Sequence, residues 1–171
     1  MNMLSKLYLL SFLFLLGAVT GFAQKSPPVL DKHEVAYKKL IRKQFINDVY
    51  IPKDLFDAFA QLDRLMDKET RAKFQLLPEE RAGRKFYLIM WMVNNWNFYE
   101  GSRLSHYIRQ IGITHPESMA HFVIVTYHRQ LNKKDLDIKE RVEFYTKKSD
   151  ELKKKRQKIL KEETRKRARE E

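Results

Sequence analysis

An apolar run from Leu7 to Val19, entered at Lys6 and closed by Gly21-Phe22-Ala23, limits which part of this chain is left to fold. Lys6 is the only charge ahead of the run, and a small-x-small exit is what a leader-cleaving protease accepts. The pattern predicts a signal peptide over residues 1–23, cleaved after Ala23, and a mature start at Gln24. A membrane anchor is the weaker expectation: a span wants about 20 apolar residues, and this run is interrupted by Ser11, Gly17 and Thr20. Removing 23 of the 171 residues leaves 148, enough for one ordinary domain and a tail. The chain has no cysteine, so an exported form must be held by its own core, without disulfides.

Export changes the meaning of the charge. A formal net charge of +12 in a cytoplasmic protein points first to nucleic acid. Behind a leader it points to an anionic envelope polymer, lipid headgroups or an envelope protein, and nucleic acid becomes an unlikely partner. The excess is also uneven: residues 147–171 hold 12 Lys/Arg against 6 Asp/Glu. That basic tail is expected to be a solvated helix or a frayed end, with peripheral membrane or polymer attraction as its functional reading.

Helical periodicity dominates the rest. A lead-in and first helix are expected over 24–48, with Asp31 to Asn47 helical through Val35, Leu40, Ile41 and Phe45, until Pro52 interrupts. Lys53 to Met66 repeats Leu55, Phe56, Phe59, Leu62 and Met66 at three- and four-residue steps. A short helix follows from Lys68 to Leu76, entered at Asp67. The next runs from Pro78 to Trp96 and, apolar on nearly every side, is expected to be the central buried helix. Asn97 to Gly101 is a turn, Ser102 caps a helix to Gln110, and Gly112 closes it. Thr114-His115-Pro116-Glu117 launches a helix to Leu131, and Asp137 with Glu140 starts a last long one. No alternation long enough to demand a sheet occurs. The expectation is an all-α single domain of five to seven helices, with its body at 49–146.

Tyr50-Ile51-Pro52-Lys53-Asp54-Leu55, Gln61-Leu62-Asp63, Asn94-Asn95-Trp96, Gly101-Ser102-Arg103-Leu104-Ser105, Gly112-Ile113-Thr114-His115-Pro116 and Tyr127-His128-Arg129 occur in that order before Leu131-Asn132. On these residues the stretch from Tyr50 to Asn132 resembles an uncharacterised bacterial family, the domain of unknown function 6794 family. Val93 stands where members tend to carry arginine, and Ala120 where they favour serine. The resemblance brings no activity, cofactor or catalytic residue.

The candidate ligand contacts are Trp91, Asn94, Asn95, Trp96, Arg103, His106, His128 and Arg129. Amides flanked by indoles suit a sugar or peptide groove, and an arginine among aromatics reads carboxylate or phosphate. No cofactor is expected. Among five histidines, His121 and His128 share a helix face but sit about 10 Å apart along it, too far for one metal. There is no Gly-x-Ser-x-Gly turn, and glycan cleavage would need a carboxylate pair. Glu100 is the only candidate acid, with Glu117 or Asp63 as its second. The function expected from the residues is therefore a non-enzymatic binding protein, periplasmic or secreted. An envelope hydrolase is the rival, and an assembly factor using the basic helix the third possibility.

Overall fold

A computed structural model describes residues 31–170. The expected signal peptide and the lead-in before Asp31 lie outside the described residues. Within them the chain is mostly helical as expected, but it forms eight helices where five to seven were expected, and one two-stranded hairpin where none was. No described helix is long and apolar enough to cross a membrane.

Helix α1 (Lys32–Leu40) begins where the Asp31 side chain accepts the His33 amide, and it buries none of its residues. It is fastened by Tyr37, whose hydroxyl lies 2.9 Å from His106 Nδ1. The Tyr37 ring lies against Gly101, where a Cβ would come within 2.5 Å of it and where φ is +105°. Only glycine tolerates both conditions.

The expected helix through Asn47 is wrong in its second half. Phe45–Ile46 (β1) pairs antiparallel with Val49–Tyr50 (β2), joined by Asn47 and Asp48 at φ 48° and 61°. Two left-handed residues make a turn whose twist matches a hairpin, and Asn and Asp are the non-glycine residues that adopt it most easily. The hairpin feeds Ile51 and Pro52 into the core.

Helix α2 (Leu55–Leu65) is capped by Asp54, which accepts the Asp57 amide at 2.8 Å. It buries Leu55, Ala58, Phe59 and Leu62, while Phe56, turned about 100° from Leu55, stays in solvent. Helix α3 (Lys68–Gln75) is capped by Asp67 and buries only Phe74.

The single helix expected from Pro78 to Trp96 is two, α4 (Glu79–Gly83) and α5 (Phe86–Asn95). The break at Arg84-Lys85 follows from how tightly α4 docks. A Cβ on Gly83 would stand 2.9 Å from His121 Nε2 and 3.1 Å from Val125 Cγ2. Nor is this stretch the buried centre, since α5 buries only Met92 and Val93.

Helix α6 (Arg103–Gln110) starts in a reciprocal capping box between Ser102 and Ser105. The central element is α7 (Pro116–Leu131), which buries Met119, Ala120 and every residue from Phe122 to His128. Helices α2 to α6 and α8 all pack against it. Helix α8 (Ile138–Glu170) contributes Tyr145 to the core, and from Asp150 to Arg169 every residue is exposed. Cations dominate that exposed length, among which Leu152, Ile159 and Leu160 are its large apolar residues.

Candidate functional site

The region from Trp91 to Arg103 is built by the end of α5, the turn after it and the start of α6. Trp96 is in the core, edge-on to Trp91 at 5.7 Å and beside Phe98. Trp91 is half-buried and Asn94 exposed. The Asn95 amide donates to the Trp91 carbonyl of its own helix at 2.8 Å.

Arg103 reaches across 52 positions of chain: its Nε donates to the Ile51 carbonyl at 2.6 Å. Its guanidinium lies 5.0 Å from the centre of the Tyr50 ring and 3.9 Å from Asp57, which also accepts the Tyr50 hydroxyl. The arginine thereby fixes the hairpin exit against α2. His106 is the acceptor or donor for Tyr37 described above.

Glu100 is exposed. Its two candidate partners are already engaged. Glu117 accepts the Tyr99 hydroxyl and lies 2.8 Å from His115 Nδ1. Asp63 takes Arg71 at 3.1 Å and the Tyr127 hydroxyl at 2.7 Å. Burial pushes the Glu117 carboxyl up, but the Tyr99 hydrogen bond, its own backbone amide and the His115 charge together bring the group below its ordinary value. That suits an ionised carboxylate and not a general acid.

His128 and Arg129 lie at the far end of α7 and do not join Arg103. His128 is 2% exposed, its Nε2 is 2.9 Å from the Leu77 carbonyl, and its Nδ1 is buried without a partner. Arg129 pairs with Asp137 and, at 2.9 Å, with Glu79; Arg141 takes the other Glu79 oxygen at 2.5 Å. Burial raises the Glu79 pKa, yet the hydrogen bonds from Arg141 and Arg129 bring it below its ordinary value.

This cluster flanks a cavity of about 470 Å³ whose lining includes Gly83, His121, Arg141 and Tyr145. His121 Nδ1 is bonded to the Tyr145 hydroxyl at 2.5 Å. Burial, then the charges on Lys148 and Arg141, hold the imidazole below its usual pKa, while burial pushes the tyrosine up to about 12. Sequence reasoning passed over Glu79, Arg141 and Tyr145, because partners 50 and 62 positions apart leave no local spacing to read. Among the described residues no three metal-ligating side chains gather.

A second hollow, about 600 Å³, opens between α3 and α5. Phe74, Met66 and Leu77 line it from one side, and Phe86, Tyr87 and Leu88 from the other. Tyr87 is 92% exposed, Leu76 85% and Phe86 67%. Lys73, Arg84 and Lys85 are its only charged lining residues. The apolar period of α5 announced these side chains, but as core.

Residues 51–131 match the model of a family described as Domain of unknown function (DUF6794), and the chain is similar to that family over α2 to α7. The hollow lies wholly inside the matched stretch, whereas Arg141 and Tyr145 lie beyond it. No curated protein and no solved structure matches the chain.

Proposed function

We propose that this chain is an exported, non-enzymatic interaction protein of the bacterial cell envelope, and that the hollow between α3 and α5 is where its partner docks. The observation that carries this reading is the exposure of Phe86 and Tyr87, 67% and 92%, on the lining of one concave, mainly apolar surface. Single exposed apolar residues are ordinary, but large ones gathered on the rim of a hollow mark a contact surface. The candidates around Arg103 give less support, because Trp96, Asn95, Arg103 and His106 already hold internal partners.

The exposed arm of α8 adds a second, weaker contact. At about 1.5 Å per residue the stretch from Asp150 to Arg169 extends roughly 30 Å, and its excess of cations attracts any anionic polymer or headgroup layer. That attraction is general and salt-sensitive.

A photo-crosslinking amino acid placed at Tyr87, and separately at Asn94 and Glu100, tests the reading in intact cells. A discrete adduct at position 87 alone is expected. Adducts at 94 or 100 with none at 87 would move the contact to the Trp91–Arg103 region and overturn it. Amino-terminal sequencing of the exported protein should begin at Gln24; recovery of the intact leader on cytosolic protein removes the export half of the proposal.

A further inference from the structure

We infer that the α3–α5 hollow takes an amphipathic helix whose apolar face is flanked by acidic side chains. This rests on the interaction reading above and names the chemistry of the partner.

Shape argues for a helix. The hollow is lined on one side by Thr70, Lys73 and Phe74 of α3 with Met66 and Leu77 flanking them, and on the other by Arg84, Lys85 and the first turn of α5. Helix pairs accept a third helix ridge into groove, and peptides that bind this way present apolar anchors at i, i+3, i+4 and i+7.

Charge argues for acidic flanks. Lys73, Arg84 and Lys85 line the hollow, and no carboxylate does. Lys73 is held by Glu69 on the surface of α3, but Arg84 and Lys85 make no ion pair among the described residues. Cations beside an apolar trough suppress basic partners and steer acidic ones.

The same cations decide against two other occupants. A second copy docking symmetrically would set two basic rims together, and the α8 arm of a second copy carries twice as many cations as acids. An anionic bilayer satisfies the charge, but a flat layer does not fill a trough whose inner wall is the buried Phe74.

The test uses the purified protein and two synthetic helix-forming peptides with identical leucine faces, one flanked by glutamates and one by lysines. Binding is read by fluorescence anisotropy, beside vesicles of phosphatidylcholine with and without phosphatidylglycerol. The glutamate peptide should bind at least about tenfold more tightly than its twin, with the margin shrinking as salt rises. The double change Arg84→Glu with Lys85→Glu should reverse that preference. Tyr87→Ser with Phe86→Ser should weaken the glutamate peptide by about tenfold or more, with helical circular dichroism unchanged.

Equal binding of both peptides overturns the proposal. So does a phosphatidylglycerol-dependent vesicle interaction, or a dimer by sedimentation, that Tyr87→Ser abolishes while neither peptide binds. If crosslinking at Tyr87 captures an envelope protein and the glutamate peptide does not bind, the acidic-helix chemistry fails and the interaction reading stands. If neither occurs, both fail.

Discussion

At its N-terminal end α5 holds Phe86 and Tyr87 in solvent; at its C-terminal end it sinks Met92 and Val93 and delivers Trp96 to the core. The two ends are built from the same kinds of side chain. What differs is the covering. The C-terminal end lies against α7, and its Met92 and Val93 join one core cluster with Trp96, Phe98, Leu104 and Ile108. The N-terminal end faces α3, a helix that buries a single residue and leaves a trough beside it. Where the covering is complete, polar groups such as Asn95 and Arg103 bond within the fold; where it is missing, apolar groups are left to a partner. The residues that look most functional by type are therefore largely the ones the structure already uses.

Substitutions on each side can break this contrast, and the largest effect belongs to the covered end. Trp96→Ala should cost about 3–5 kcal/mol by urea unfolding, the usual loss for an aromatic deleted from a packed core. A loss near zero would mean that Trp96 is a surface ligand contact after all.

Arg103→Ala comes next, at about 1–3 kcal/mol, because it strips the donor from the Ile51 carbonyl and leaves Tyr50 and Asp57 without their cation. An arginine reserved for a ligand would leave the unfolding midpoint unchanged.

Arg129 offers a pH readout. The Glu79 carboxyl it shares with Arg141 is depressed, so its contribution is present above the ordinary value of 4.5 and is lost as pH falls through the folded-state value. Thermal unfolding between pH 6 and 3 should fall less steeply in Glu79→Gln than in the parent, from a lower start at pH 6. Parallel curves would show that the cluster is not coupled to folding.

The smallest effect is expected at the uncovered end. Tyr87→Ser should leave stability within about 0.5 kcal/mol of the parent, since the ring touches little that is buried. A larger loss would mean that the hollow is closed in solution and that the contrast between the two ends is false.

Much of the local architecture was legible in the residues. Asp67 and Ser102 each cap the helix expected after them, and Asp54 caps one expected to start at Lys53. Capping and period act within four residues, so local order carries them in full. The hairpin was missed because Asn47-Asp48 is flanked by pairs of residues too short to show alternation. The break at Arg84-Lys85 was missed for another reason: it follows Gly83, whose close approach to His121, 38 positions later, has no local signal. Of the candidate contacts, spacing placed Trp91 to Arg103 in one region, but it could not show that Ile51 would take Arg103 or that Glu79 would take Arg129.

Residue order by itself determined that this chain is mainly helical, where most helices begin, and that its last stretch is too polar to be buried. The tertiary structure alone decided which apolar faces are covered. A helix exposes its period to every potential neighbour equally, and only the packing around α7 assigns one end of α5 to the core and leaves the other beside an open hollow.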